Sequence, residues 1–163
     1  MAFCTFSYYL INFEVKYMTG SMVRNTLVSQ TAEFLSTLGG GLIYYKLGAR
    51  YGLSSQFVLT IIGSVFLIKY GDNEKALPII IVLTKFGATA ALTMVYIANV
   101  KLIPTKFSTT VFGFWNVLAR SVNSLSPLLS EMQEPTPMIV NICISAVAAV
   151  MSMLLVEKMP DFR

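Results

Sequence analysis

The apolar residues of this chain occur in blocks of roughly 17 to 25, which is the length of α-helix that crosses the hydrocarbon core of a bilayer. Of the 163 residues, 55% are hydrophobic and only 12% are charged, and the mean hydropathy is +0.68. A soluble domain has roughly 25% charged residues. We therefore predict an all-α integral membrane protein, with a single transmembrane domain over residues 1–163.

Six membrane spans are predicted, at residues 2–19, 25–45, 53–69, 77–99, 107–130 and 138–156. The segments between and after them combine charge with Gly, Pro, Asn or Asp, as helix ends at a membrane surface do. They read "TGSMVRN", "KLGARYG", "KYGDNEKALP", "VKLIPTK", "EMQEPTP" and "EKMPDFR". The glycines at 39–41 predict a close approach between helices. Tyrosines near the span ends, Tyr8 among them, predict an interfacial belt.

An even number of spans puts both termini on one side of the membrane. That side would carry Lys46, Arg50, Lys101, Lys106, Lys158 and Arg163. The other side would carry Lys16, Arg24, Lys69 and Lys75, offset by Asp72 and Glu74. The positive-inside rule then predicts termini in the cytoplasm, or in the matrix of a mitochondrion. Basic loops beside anionic headgroups account for the net charge of +4, so no nucleic-acid partner is expected.

The residue types that carry most enzyme chemistry are scarce. The sequence has no histidine, and its two cysteines, Cys4 and Cys143, are far apart in sequence and lie inside apolar blocks. It also has no Gly-rich loop leading into Lys-Ser or Lys-Thr, and no close pair of carboxylates inside the apolar blocks. We therefore expect no catalytic activity, no metal site and no cofactor.

Besides Glu14 and the span-end residues Lys16 and Lys69, three charged residues lie inside the predicted spans: Glu33, Lys85 and Arg120. A charge at the bilayer centre costs at least ~2.5 kcal/mol, so such residues normally face a bundle interior or a wet cavity and pair with one another. Glu33 is the acid available to balance the two basic residues, unless Glu14 reaches inward from the first span. The residues alone leave two interpretations open, a solute or ion site and a buried structural ion pair.

Residues 80–127 read "IIVLTKFGATAALTMVYIANVKLIPTKFSTTVFGFWNVLARSVNSLSP". This stretch resembles the tenth and eleventh helices of the organic cation, anion and carnitine transporter branch of the major facilitator superfamily. The positions that match the family pattern are Lys85, Phe86, Gly87, Tyr96, Ile97, Leu102, Pro104, Thr105, Gly113, Arg120 and Pro127. Upstream, "FSYYL" and the Glu33 region resemble the seventh and eighth helices, and "YYKLGARYG" resembles the loop between the eighth and ninth.

The resemblance implies the C-terminal six-helix half of a twelve-helix carrier. In that family the position matched by Arg120 faces the substrate cavity, where an arginine goes with anionic or zwitterionic substrates. Arg120 would then be the counter-charge for a substrate carboxylate in a cavity near the membrane midplane.

The resemblance also implies a set of ion pairs at the membrane surface that holds the carrier in one conformation, which we call the conformational latch. This chain keeps only remnants of it: Lys46, Gly48, Arg50, Lys101, Pro104 and Thr105. Where the family has acids, this chain has Tyr45 and Lys101, and Ala49 and Ser108 replace family arginines. Without the acids, the basic residues at this surface should repel one another and should not hold one conformation.

Alternating access in this superfamily rocks two six-helix halves around a shared site. A lone half would leave its inner face to lipid or to a partner, so we expect a partner: other transmembrane subunits or a second copy. We favour a degenerate half-carrier that serves as an accessory subunit of a larger membrane complex, in the mitochondrial inner membrane if that complex is energy-transducing. The alternatives are a half-size dimeric carrier of organic anions or zwitterions, or part of a twelve-helix carrier, in the plasma membrane.

Overall fold

The computed structural model describes residues 2–15, 21–71, 76–102, 105–132 and 135–154. Within these ranges the chain is all-helical and has no strand, so the predicted all-α class is confirmed there. The helices are α1 (Ala2–Glu14), α2 (Met22–Tyr70), α3 (Leu77–Leu102), α4 (Thr105–Asn123), α5 (Ser126–Ser130) and α6 (Thr136–Met153).

Three of the described helices, α2, α3 and α6, are long and apolar enough to cross a membrane by length and composition. The other predicted spans do not meet this criterion. Helix α1 has 13 described residues, about 20 Å at 1.5 Å per residue, against a hydrocarbon core of about 30 Å. Helix α4 is long enough, but Lys106, Asn116 and Arg120 dilute its apolar residues.

Helix α2 is a hairpin of two helical arms. Gly39 and Gly40 of its first arm lie against Phe86 and Ala90 of α3, and Gly63 of its second arm lies against Thr84. Positions 39 and 63 would be more than 30 Å apart on one straight helix. Since both contact the same two turns of α3, the two arms, residues 22–47 and 49–70, must lie side by side.

The reversal between the arms takes place at one residue. Gly48 has φ 74° and ψ 178°, and it is the one non-helical residue inside α2. This backbone region is essentially restricted to glycine, because a Cβ would clash with the neighbouring carbonyl groups. The observed break is therefore much shorter than the predicted segment "KLGARYG". Between residues 45 and 53 the chain is helical except at Gly48.

We expect Gly48→Ala to lower the free energy of unfolding by about 1 to 3 kcal/mol, because alanine would be held in a strained conformation. Thermal unfolding of the purified chain in detergent measures this. Gly41→Ala is the matched control, since a Cβ at that position meets nothing within 4 Å. Equal stability of the two variants would show that Gly48 does not need a positive φ.

The predicted fifth span, residues 107–130, is two helices rather than one. Helix α4 ends at Asn123, a turn follows, and α5 begins at Ser126 with Pro127 in its first turn. The Pro127 ring has no N–H to donate to the Asn123 carbonyl, so α4 cannot continue through it.

Two apolar clusters form the core. One includes Tyr44, Leu53, Phe57 and Met94 and lies at the end of the bundle that holds Gly48. The other includes Leu67, Leu77, Ile81 and Met138 and lies toward the opposite end. The first cluster also contains Cys4 of α1, and the second contains Val15, which directly follows α1. Helix α1 packs against α3, α4, α5 and α6.

Candidate functional site

A layer of polar side chains lies between the two apolar clusters. Along α3, Thr84 and Lys85 follow the cluster that contains Leu77 and Ile81 and precede the one that contains Met94. Helix α6 has the same order, with Asn141 between Met138 and Ala148. Lys85 is about 12 Å along α3 from Leu77, so this layer crosses the interior of the bundle.

Lys85 is at the centre of this layer. Its side chain is 0% exposed, and its Nζ lies 3.4 Å from Glu33 Oε2. The ammonium group also donates to Asn12 Oδ1 and lies 4.5 Å from the centroid of the Tyr8 ring. Thus α1, α2 and α3 all contribute to the coordination of one buried charge.

Glu33 is held from two sides. Its Oε1 accepts a 2.6 Å hydrogen bond from the Tyr8 hydroxyl, while Oε2 faces Lys85, and the side chain is 27% exposed. Tyr8 and Asn12 are one turn apart on α1, so a single face of that helix contacts both members of the ion pair. We refer to Tyr8, Asn12, Glu33 and Lys85 as the Lys85 cluster.

A second polar network joins three helices at the same level. Ser7 of α1 donates a 2.5 Å hydrogen bond to Asn141 Oδ1 of α6. The Asn141 amide donates in turn to Ser64 Oγ of α2 at 2.9 Å. All three residues are buried, and unsatisfied polar groups would be costly there, so this network fixes the relative register of the three helices.

Arg120 is not part of the Lys85 cluster. It is exposed, on α4, and it has no ion-pair partner among the described residues. Two aromatic features lie on the same helix: Trp115, five residues before Arg120, is 44% exposed, and the Phe112 ring packs against Tyr96 of α3 with centroids 5.6 Å apart. Arg120 and Tyr9 both lie within electrostatic range of Tyr96. We call this surface of α1, α3 and α4 the Arg120 face.

The latch remnants are only partly within the described residues. Lys46, Arg50 and Lys101 are exposed near the turn at Gly48. The Lys101 ammonium lies 4.8 Å from the centroid of the Tyr44 ring, which brings the end of α3 beside the first arm of α2. Pro104 lies outside the described residues, and of Thr105 only the backbone, at the start of α4, is described.

Sequence reasoning found the charges of the Lys85 cluster but missed their polar partners. Tyr8 was predicted to belong to an interfacial belt, which is wrong: it is half-buried and bonded to Glu33. Asn12, Ser7, Ser64 and Asn141 were not singled out. The available signal was the occurrence of amides inside apolar blocks, since a buried amide requires a partner.

A cavity of about 430 Å³ opens between α1 and the start of α2. Tyr8 and Asn12 form part of its wall, so it borders the Lys85 cluster. Nowhere in the described part of the chain do three His, Cys, Asp or Glu residues lie close enough to hold a metal ion. No protein-family model matches the chain.

Proposed function

We propose that the chain is one helical half of a membrane solute carrier, which binds the carboxylate of an organic anion or zwitterion through Arg120. A second helical unit, either another copy or a different chain, would cover the Arg120 face. The observation that carries this proposal is the exposed position of Arg120 on α4, with no acid paired to it in the described chain.

The chemistry of the Arg120 face supports an acidic ligand. A guanidinium binds a carboxylate through two parallel hydrogen bonds, and covering of this face by a second unit would exclude water and strengthen the attraction. Leaving this charge in hydrocarbon would cost at least ~2.5 kcal/mol. A carrier half whose inner face binds solute provides both the ligand and the covering surface.

The apolar exterior supports placement in a membrane. Large hydrophobic side chains are exposed along both arms of α2 and along α6, including Leu38, Leu42, Val65 and Val150. An apolar surface this extensive is unfavourable in water but fits lipid. For a carrier of organic solutes we propose the plasma membrane, with the Gly48 end on the cytoplasmic side because Lys46, Arg50 and Lys101 are there.

A second candidate function is that of an accessory subunit without transport, packed into a larger membrane complex. Tyr45 and Lys101, both exposed, occupy positions where the resembling carriers have acids, and this favours the loss of a conformational latch. The Lys85 cluster would then be a structural element, and Arg120 would bind a carboxylate of a neighbouring subunit or a lipid phosphate.

Uptake by the purified chain in liposomes separates the two functions. For a carrier we expect saturable uptake of glycine betaine or succinate, loss of at least tenfold in Arg120→Ala, and partial retention in Arg120→Lys. Arg24→Ala, on the exposed start of α2, is the control and should transport normally. If wild-type protein gives no uptake above empty vesicles and Arg120→Ala instead changes the size of the native complex, the accessory function is correct.

A further inference from the structure

Asn116 lies one turn before Arg120 on α4. Residues four apart on a helix share a face, with Cβ atoms about 6 Å apart. Helical side chains incline toward the N-terminus, so the long Arg120 side chain extends toward the turn that holds Asn116 and away from Ser124. A ligand bound by the guanidinium would therefore lie beside the Asn116 amide.

The orientation of this amide is fixed by the helix backbone. Asn116 Nδ2 donates a 2.9 Å hydrogen bond to the Phe112 carbonyl. The opposite orientation would place Oδ1 against that carbonyl oxygen, and two acceptors repel. The Phe112 ring packs against Tyr96 of α3, which holds this part of α4 in place. The amide therefore presents its oxygen, and not its nitrogen, to any other group.

The Asn116 oxygen is also reachable. Asn116 is half-buried, and no group among the described residues donates a hydrogen bond to its Oδ1. This oxygen is not enclosed, whereas Asn123 Oδ1, two turns further along α4, is buried without a partner. The Arg120 face thus presents a cation and, one turn away, a neutral acceptor that can receive one hydrogen bond.

This pair of groups fits a carboxylate that carries its own hydrogen-bond donor. The carboxylate binds the guanidinium through two hydrogen bonds, and a hydroxyl on one of the next two carbons can donate to Asn116 Oδ1. A primary ammonium could also donate, but it would lie beside the guanidinium, and two cations at that distance repel. An alkyl chain or a quaternary ammonium has no proton to donate and would leave the oxygen unpaired once water is excluded.

We propose that Asn116 determines the specificity of the proposed carrier and selects short hydroxycarboxylates over carboxylates that lack a hydroxyl. The inference rests on the proposed carriage of acidic solutes through Arg120. It adds the second polar group that a preferred substrate must have, and it assigns the recognition of that group to Asn116 Oδ1.

Liposome uptake of two matched pairs of compounds tests this specificity. L-Lactate and propionate differ by one hydroxyl, as do 3-hydroxybutyrate and butyrate. For wild-type protein we expect the half-saturating concentration of a hydroxy acid to be about three- to tenfold lower than that of its partner, the effect of one neutral hydrogen bond. Asn116→Leu should remove this preference and leave propionate uptake unchanged, because leucine has a similar size but no acceptor.

Ser121→Ala is the matched control. Ser121 is exposed on α4, and its hydroxyl donates to the Val117 carbonyl at 3.0 Å. Its removal also deletes a side-chain-to-backbone hydrogen bond of this helix, so the preference for hydroxy acids should stay at the wild-type value. If Asn116→Leu does not reconstitute, Asn116→Ala replaces it with the same expected loss of preference.

Equal uptake of both members of each pair by wild-type protein, with loss of uptake in Arg120→Ala, would overturn the role of Asn116 and leave the carrier function standing. The role is also overturned if Asn116→Leu keeps the preference, or if it lowers the uptake of both members equally, as a purely structural residue would. Wild-type protein that transports none of the four acids would overturn both proposals.

Discussion

Glu33→Gln is expected to lower the free energy of unfolding by about 3 to 5 kcal/mol, the usual cost of removing one partner from a buried ion pair. Lys85 is fully buried, and without the carboxylate its ammonium group would have, among the described residues, Asn12, the Tyr8 ring and the substituted amide as favourable neighbours. Those groups are neutral and cannot balance a charge in a low-dielectric interior. Detergent-solubilised protein unfolded with heat or SDS measures the loss.

Glu131→Gln is the control for this experiment, because Glu131 is exposed and follows α5. Its substitution should change the free energy of unfolding by no more than ~0.5 kcal/mol. Similar losses in the two variants would mean that the Glu33 carboxylate does not stabilise Lys85.

Substitution of the other member of the ion pair separates the energetic effect of charge pairing from that of side-chain packing. Lys85→Met removes the buried charge but keeps an unbranched apolar chain, and Glu33 retains its Tyr8 bond and partial exposure. We expect it to destabilise the chain less than Glu33→Gln does. The double variant should then recover most of the stability lost in Glu33→Gln, since no unpaired charge remains.

The buried charges could be predicted from sequence because their cost is a local property. An acid, a lysine and an arginine inside apolar blocks must each find a partner, whatever the arrangement of helices. The structure pairs Glu33 with Lys85 and leaves Arg120 on another face. Which of the two basic residues meets the acid depends on helix packing, and a linear sequence does not specify it.

The uncharged members of the Lys85 cluster, Tyr8 and Asn12, were harder to predict because their contacts also depend on helix packing. Tyr8 and Asn12 reach Lys85 and Glu33 only because α1 packs beside α3 and the first arm of α2. A tyrosine near the end of an apolar block is equally compatible with an interfacial position. Pro127 was a sequence signal for the end of α4 that the predicted span 107–130 did not use. The break at "KLGARYG" was predicted, but its reduction to the single residue Gly48 depends on how the two arms pack.

Gly87→Leu is expected to cost about 3 kcal/mol, because Gly87 lies where α3 crosses the second arm of α2. A Cβ at this position would lie 2.8 Å from both the Gln56 carbonyl oxygen and the Thr60 amide nitrogen, in addition to contacting the Thr60 hydroxyl. Backbone atoms cannot rotate away as a side chain can, so the two helices would have to separate. Thermal unfolding in detergent measures the loss, and Gly87→Ala should cost somewhat less.

Gly113→Leu is the matched control, since Gly113 is also helical but a Cβ there meets nothing within 4 Å. In the isolated chain it should be neutral or stabilising by ~1 kcal/mol, because glycine is a poor helix former. A loss comparable to that of Gly87→Leu would contradict the open position of α4.

Gly113 is two turns from Arg120, so both lie on one side of α4. If a second unit covers the Arg120 face, Gly113→Leu should weaken their association, seen on native gels, while the unfolding temperature of the isolated chain stays the same or rises slightly.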